Sequence, residues 1–422
     1  MAVIKLPTAL RALRYYNFRL YFSGQAISLI GTWMQRIAVS WLVYKLTQSA
    51  FMLGLVAFAG QIPVLLLSPY AGTYVDRHSR YRTLLFTQIA SMVQAGILAA
   101  VVWMGNYDVE IIIVLSVMLG IINTFDSPSR QSLMILLVEE KEHLPNAIAL
   151  NSSMVTFARL VGPAFAGILL SGYGEDICFL VNFLSFLAVI ISLLLMKIDI
   201  PARPKNTEHI WSGLKEGFHY VRNNRGLRSA VLLAAAMSLL VLPYTNLLPI
   251  YAASVFKGNV TTFSWLNSIS GLGALIGAIF IATLRPGKDF MKIISYAALV
   301  FSAGLVAFSY TKNLQVALVL IMIAESGLLV EVAATNTYIQ TNVDEHMRGR
   351  VVSYYVMAFL GMQPIGGLLI GSMAHLIGAP LTVLIEGLCG ITAALLFTPV
   401  LKSKRKMLAR RASELMGRGH EK

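Results

Sequence analysis

Long runs of apolar residues, separated by short polar or Gly/Pro-rich stretches, recur along this chain. A run of about 20 apolar residues is long enough for a helix to cross the bilayer core, which is roughly 30 Å thick. The pattern predicts twelve membrane-spanning helices, at 19–45, 49–75, 82–105, 109–137, 144–172, 176–196, 227–255, 262–284, 290–311, 313–341, 350–376 and 380–401. Spans one, four, seven and ten of this series exceed the minimum length, which permits tilt or local breaks.

Composition supports this interpretation. Of the 422 residues, 57% are apolar and only 13% are charged, whereas soluble domains carry about 25% charged residues. So few charges cannot cover a water-facing surface, and the sequence predicts an all-α polytopic membrane protein. The first span contains Arg36 and is too long for a signal peptide, so we expect it to be retained. Cys178 and Cys389 both lie within spans, and we expect no disulfide framework.

Lysine and arginine are distributed unevenly between alternate loops. With the N-terminus inside, 28 of the 34 fall in cytoplasmic segments. The exceptions are three outside lysines and three arginines within spans: Lys45, Lys257, Lys312, Arg36, Arg130 and Arg159. This bias predicts that both termini are cytoplasmic. The basic tail then reflects topology and attraction to anionic lipid in the bilayer, not nucleic-acid binding.

A long polar loop divides the chain into two halves of six spans. We predict an N-terminal half at 1–196, a cytoplasmic linker at 197–226, a C-terminal half at 227–401 and a basic tail at 402–422. The linker contains an amphipathic segment, Trp211 to Tyr220, expected at the inner membrane surface. A stretch with glycine and proline in span five, 162–167, matches a Pro-Ile-Gly-Gly stretch in span eleven, 364–367, which indicates an internal repeat.

The loop between spans two and three carries a recognisable motif. It runs from Gly72 to Arg82 and resembles the signature that major facilitator superfamily transporters carry there, although Ser79 replaces the second glycine. The resemblance implies two pseudo-symmetric six-helix halves and a cytoplasmic latch that stabilises one conformational state. Asp76 is expected to cap a neighbouring helix, and the arginines to pair with acids. The residues of this latch set are Gly72, Asp76, Arg77, Arg80, Arg82 and Arg350.

Span five adds a second motif, Gly162-Pro163 followed by Gly167, which resembles the fifth-helix signature of exporters in this superfamily. Generic close helix packing is the alternative. The passages 17–44 and 125–159 are similar to the branch that contains macrolide-efflux and enterobactin-export proteins. Ser116 stands where many drug antiporters of the superfamily have an arginine, so their arginine-based proton coupling does not carry over.

Ionisable groups within spans are the candidate site residues, because a charge in the hydrocarbon region costs several kcal/mol unless paired or hydrated. In the superfamily, spans one, four, seven and ten line the central cavity, and most of these groups fall on those spans. The candidates for proton coupling or substrate contact are Arg36, Asp126, Arg130, Tyr244, Asn246, Glu325 and Glu331.

Several roles stay open for these groups. Asp126 and Arg130 are four residues apart and share a helical face unless Pro128 disturbs it. They form either a structural ion pair that completes the latch with Arg77 or Arg80, or a pair in which Asp126 alternates between a proton and Arg130.

In span ten, Glu325 lies near the midplane as a candidate proton or cationic-substrate site. Glu331 lies about 240° further round the helix, so one of the two is expected to be structural. Arg36, near Trp33 and Ser40, contacts an anionic substrate or neutralises Glu325. Arg159 and Glu386 are expected to pack or pair helices.

No Gly-rich phosphate loop, metal-ligand spacing or nucleophile–base arrangement is present in the sequence, so we expect neither an enzyme nor a cofactor or metal site. The primary hypothesis is a secondary transporter of the bacterial inner membrane, monomeric, that exports a small amphipathic molecule by proton-coupled antiport and alternating access. A multidrug or macrolide-like substrate and a siderophore both fit. The alternatives are a lysophospholipid-type lipid transporter and a non-transporting membrane sensor or scaffold.

Overall fold

The computed structural model describes residues 8–105, 107–197, 210–284 and 288–396. The side chains of six further positions or segments are not described: 8–9, Pro69, Asp76, Lys141, 210–214 and His346. In the described ranges the chain is almost entirely helical, and 12 helices are long and apolar enough to cross a membrane. This confirms the predicted all-α polytopic architecture and each of the twelve predicted spans, with ends that differ by a few residues.

The first six spans follow a short 3₁₀-helix at Thr8–Arg14. They are α1 Tyr16–Thr47, α2 Ala50–Arg77, α3 Arg80–Trp103, α4 Val109–Leu136, α5 Leu144–Gly172 and α6 Glu175–Leu194. The linker contributes α7, Ile210–Asn223, which covers the amphipathic segment predicted there. Residues 198–209 of the linker and the tail at 402–422 lie outside the described residues.

The next six spans begin with a broken one. Span seven consists of α8 Arg225–Leu240, a 3₁₀ segment Leu242–Leu247, the short α9 Leu248–Ile250 and a π-helical turn Tyr251–Val255. The others are α10 Val260–Ala282, α11 Phe290–Tyr310, α12 Leu314–Asn342, α13 Glu345–Ile377 and α14 Ala379–Leu396.

Two prolines explain the break in span seven. Pro243 and Pro249 lack a backbone N–H, and their rings clash with the preceding turn of an α-helix. The chain therefore leaves α-helical geometry after Leu240 and passes through 3₁₀ and π turns. Such non-helical backbone at membrane depth is tolerated where it is buried in protein or lines a water-filled cavity.

Short polar side chains begin several of the helices. The Ser49 hydroxyl accepts a hydrogen bond from the Met52 amide at the start of α2, and the Asn313 side chain accepts bonds from two amides at the start of α12. At the C-terminal end of α1, the capping residue Gln48 adopts left-handed backbone geometry with φ 51°. These caps satisfy backbone groups that a helix end leaves open.

The chain divides into two compact units. The first contains residues 1–207, 246–272 and 367–379, and the second contains 208–245, 273–366 and 380–422. The core of the first unit includes Phe18, Leu84 and Phe186. In the second unit, Phe301 and Phe308 of α11 are fully buried. The predicted six-span halves at 1–196 and 227–401 remain a prediction.

Candidate functional site

Asp126 and Arg130 lie together on α4. The helix continues through Pro128, so the two side chains share a face and Arg130 Nε lies 3.4 Å from Asp126 Oδ2. The Asp126 carboxylate is buried and its other oxygen accepts hydrogen bonds from α3, at 3.0 Å from Thr87 Oγ1 and 2.6 Å from Gln88 Nε2. Three donors therefore hold this carboxylate in place.

This arrangement joins α3 to α4 through a charged group. Among the described residues, neither Arg77 nor Arg80 is a partner of Asp126. Sequence reasoning missed Thr87 and Gln88 because it followed charges alone. Two adjacent hydrogen-bonding side chains within an apolar run were the available signal.

Glu325 lies on α12 and is fully buried. The Tyr244 hydroxyl donates a hydrogen bond of 2.7 Å to its Oε1. Tyr244 belongs to the 3₁₀ segment in the break of span seven, so this bond joins the break directly to span ten. Asn246 lies two residues further along the same segment, where its amide nitrogen faces the backbone of Gly367.

The second acid of span ten has different surroundings. Glu331 is also fully buried, and one oxygen accepts a 3.3 Å hydrogen bond from Thr335 Oγ1. Its Oε2 has no hydrogen-bond partner among the described residues. Glu386 on α14 is buried as well, and in the same described ranges neither of its carboxyl oxygens has a partner. The expected helix-pairing bond of Glu386 is therefore absent from this part of the chain.

Arg36 lies about two thirds of the way along α1 with an exposed side chain. Its guanidinium is stacked over the indole of Trp33, 4.5 Å from the ring centroid. Arg159 of α5 is close enough for the two positive charges to interact, and donates a 3.3 Å hydrogen bond to Ser270 Oγ. No carboxylate within the described ranges forms a salt bridge with Arg36.

The residues of the latch set lie at the junction between α2 and α3 and in the first turns of α13. Gly72 faces open space, since a methyl group added there would meet nothing within 4 Å. Arg77 and Arg82 are exposed, whereas Arg80 is buried. The side chain of Asp76, on which the capping prediction falls, lies outside the described residues.

Two further findings concern these junctions. Ser79, which replaces the glycine of the superfamily motif, accepts a hydrogen bond from the Arg82 amide and so caps α3. Arg350 forms an ion pair with Glu216 of α7. The second copy of the motif includes residues 285–287, which are outside the described part of the chain.

The glycine–proline motif lies at close helix contacts. A methyl group at Gly162 would lie 3.1 Å from the Ile30 carbonyl oxygen of α1, and one at Gly167 would lie 2.7 Å from Ser264 Cβ of α10. Pro163 is buried between them within an unbroken α5. Small residues here let the backbones approach closely.

A buried chain of amide side chains was not predicted. Asn182 Nδ2 donates to Gln35 Oε1 at 2.7 Å, Gln35 Nε2 donates to Gln94 Oε1 at 3.0 Å, and Gln94 Nε2 donates to the Leu115 carbonyl at 3.3 Å. These bonds link α6, α1, α3 and α4. Satisfied amides of this kind fix which helices pack together. In the described ranges, no group of three or more His, Cys, Asp or Glu side chains is arranged to hold a metal ion.

The twelve apolar helices in the described ranges, one of them broken, define a polytopic membrane protein. Residues 7–417 match the family model described as "transmembrane secretion effector". The chain belongs to this family, which is part of the major facilitator superfamily.

Curated relatives cover most of the chain. The staphyloferrin A transporter of Staphylococcus aureus is 25% identical over 89% of this chain and 94% of the relative. Macrolide efflux protein A of Streptococcus pyogenes is 24% identical over 69% and 73% of the two chains. The multidrug efflux pump Tap of Mycolicibacterium fortuitum is 24% identical over 82% and 87%.

Solved structures share the fold. A bacterial homologue of the human lysosomal transporter Spinster has a TM-score of 0.71 at 15% identity and covers 95% of this chain and 98% of its own. A bacterial homologue of the iron transporter ferroportin has a TM-score of 0.68 at 16% identity, with 92% and 99% covered. These similarities confirm the predicted major facilitator fold.

The family and the efflux relatives together confirm the class of protein. The chain is an exporter of small-molecule substrates within the major facilitator superfamily and is not an enzyme. They also confirm the predicted localisation, as a multi-pass protein of the bacterial inner membrane. Proton coupling, the substrate and the orientation of the termini remain predictions.

Proposed function

We propose that this protein exports a small amphipathic molecule in exchange for protons, by alternating access, with both termini in the cytoplasm. The observation that carries the proposal is the hydrogen bond between Tyr244 and Glu325 at the break in span seven. Discontinuous membrane helices form the substrate and ion sites of many secondary transporters. A buried carboxyl group at such a break is well placed to exchange a proton.

The tyrosine partner suits this role chemically. A phenolic hydroxyl donates a hydrogen bond to a carboxylate and accepts one from a protonated carboxyl group. Tyr244 can therefore remain bonded to Glu325 in both protonation states.

Asp126 is the second candidate for coupling. Its carboxylate accepts hydrogen bonds from Thr87 and Gln88 and forms a salt bridge with Arg130, so it already has three partners within the protein. The side chain of Arg130 is 27% exposed, so it can leave the pair without losing all hydration. We therefore place Glu325 first and Asp126 second.

The names of the relatives suggest the substrate range. They refer to staphyloferrin A, to macrolides and to multiple drugs. A macrolide-like drug or a siderophore therefore fits this chain. A panel that contains a macrolide, a lipophilic cationic dye and a siderophore would identify a transported compound.

The first prediction concerns the Glu325→Gln variant in proteoliposomes. We expect an imposed pH gradient to drive the wild-type protein, and we expect Glu325→Gln to lose at least about tenfold in that flux because Gln cannot exchange a proton. Tyr244→Phe should lose less, since water can replace its hydroxyl. The measurement is initial flux with and without the gradient.

Two further variants complete this experiment. Glu386→Gln makes the same chemical change to another buried glutamate and should behave as wild type. Asp126→Asn identifies the other coupling site if it, and not Glu325→Gln, abolishes gradient-driven flux. A wild-type protein that transports no compound in the panel under any pH gradient would refute the proposal.

A further inference from the structure

We infer that Arg36 and Trp33 bind the anionic group of an amphipathic substrate, and that this group is a carboxylate. This inference rests on the proposed function, because it names the substrate class that the exporter carries. Arg36 projects from a membrane-spanning helix with an exposed side chain stacked on Trp33.

Placing the charged side chain of Arg36 within a membrane-spanning helix is energetically unfavourable unless the charge is paired or hydrated. An arginine at the centre of a membrane helix is unfavourable by about 2.5–3.5 kcal/mol on insertion scales, and such residues face a protein interior or a water-filled cavity. Arg36 lies well inside α1, twenty residues after its start at Tyr16 and eleven before its end at Thr47.

The indole orients the guanidinium. The Arg36 guanidinium carbon lies over the Trp33 ring, 4.5 Å from its centroid, and among the described residues no acceptor bonds to the N–H donors along the guanidinium edge. That edge matches a carboxylate through two parallel hydrogen bonds. The apolar surface of Trp33 beside it suits the hydrophobic part of an amphipathic ligand.

Some basic side chains in the described ranges are paired with acids, but Arg36 is not among them. Several make salt bridges to described carboxylates: Arg14, Lys45, Arg130 and Arg350. Arg36 has no such partner among the described residues, and the nearby charge that acts on it is a second cation, Arg159. An arginine that has no counter-charge among the described residues attracts an anion and repels a cation.

The test measures binding of pyrenebutyrate and of its methyl ester, which differ by one negative charge, to purified protein in phosphatidylcholine nanodiscs. We expect wild type to bind the acid more tightly than the ester. Arg36→Gln should weaken binding of the acid about tenfold or more, as loss of a charge-assisted hydrogen bond implies, and leave the ester unchanged. Arg36→Lys keeps the charge but not the paired donors and should lie between.

The same helix provides a matched control. Arg19 also stacks on the aromatic residue three positions before it, Tyr16, at 5.9 Å, but near the end of α1. Arg19→Gln should leave binding of both probes unchanged. A site that instead takes a lipid headgroup would show loss of pyrenebutyrate binding when phosphatidylglycerol is added to the nanodiscs.

Specific outcomes would overturn the inference. Wild type could bind acid and ester equally, or Arg36→Gln could weaken both equally while lowering the melting temperature, as expected if Arg36 neutralised a carboxyl group of the protein. Because binding needs no pH gradient, these results do not depend on proton coupling. Failure of gradient-driven flux with intact acid-selective binding would refute the proposed function alone.

Discussion

Two buried carboxyl groups show how much the immediate partners of a residue matter. Asp126 accepts hydrogen bonds from Thr87 and Gln88 and pairs with Arg130. Glu386 is equally buried, but among the described residues it has no partner at all. An unpartnered charge in an apolar surrounding would cost far more than a neutral carboxyl group, so we expect Glu386 to hold its proton.

This contrast leads to a stability prediction. Asp126→Asn should destabilise the folded protein by about 1–3 kcal/mol, because Arg130 loses its counter-charge and the bonds to α3 lose their ionic character. Glu386→Gln should change stability by less than about 0.5 kcal/mol, since it replaces one neutral group by another of the same shape.

The measurement is the melting temperature of the purified variants in one detergent, with Asp126→Asn and Glu386→Gln compared side by side. The expected order is wild type equal to Glu386→Gln and above Asp126→Asn. Equal losses for both variants would show that Glu386 is charged and paired in the folded protein.

At this scale, the sequence predicts positions better than partners. The spacing of Asp126 and Arg130 predicts that they can pair on one helical face, and the structure contains this salt bridge because α4 continues through Pro128. The bond between Glu325 and Tyr244 joins residues 81 positions apart. Spacing along one helix cannot predict such a contact, because it depends on how two helices pack.

At the scale of elements, each set of six spans begins with a short helix that contacts a later loop. The Thr8–Arg14 helix meets the loop after α4 through an ion pair of Arg14 with Glu140. The linker helix α7 meets the loop after α12 through the bond of Tyr220 to Asp344, and meets the first turns of α13 through an ion pair of Glu216 with Arg350. The two ion pairs have reversed charges, and the internal repeat remains a prediction.

The contact of α7 yields the next prediction. Tyr220 donates a 2.8 Å hydrogen bond to Asp344 Oδ2, and its oxygen accepts a bond from the Asp344 amide at 3.3 Å. Tyr220→Phe combined with Glu216→Gln should release α7 from this loop. Each exposed contact contributes about 0.2–1 kcal/mol, so we expect local loosening without global unfolding.

Hydrogen exchange would measure this effect. Backbone amides of α7 should exchange about threefold to tenfold faster in the double variant, while the spans keep their protection. Tyr310→Phe, at a side chain that is 71% exposed, is the control and should leave α7 unchanged. Unaltered protection of α7 in the double variant would show that other contacts hold it.

The spans themselves were predictable because length and hydropathy suffice to identify them. The break in span seven was only partly so. Pro243 and Pro249 indicate a disturbed helix, but the 3₁₀ and π turns that they produce, and the placement of Tyr244 within them, depend on the neighbouring helices. The amide chain through Gln35, Gln94 and Asn182 also depends on packing that no single helix reveals.

At the scale of the whole molecule, packing and sequence divide the chain differently. The first compact unit includes residues 246–272 and 367–379, which the sequence assigns to the C-terminal half. Within this unit, α2 meets α13 at glycines. A methyl group at Gly54 would overlap the Gly367 carbonyl oxygen and lie 3.2 Å from Gly371 Cα. With the predicted topology, this contact lies toward the outer face.

Alternating access requires that such a contact form and separate in each cycle, so Gly54→Ala is the last prediction. The added methyl group should disfavour the closed contact and lower the export rate severalfold, since overpacking typically costs about 1–3 kcal/mol. Gly60→Ala on the same helix is the control, because its methyl group would lie 3.7 Å from the nearest atom, in ordinary contact. Both variants should insert and purify like wild type, and export in proteoliposomes is the measurement. Equal export by Gly54→Ala, Gly60→Ala and wild type would mean that the cycle does not depend on close approach of α2 and α13, and would count against alternating access by these helices.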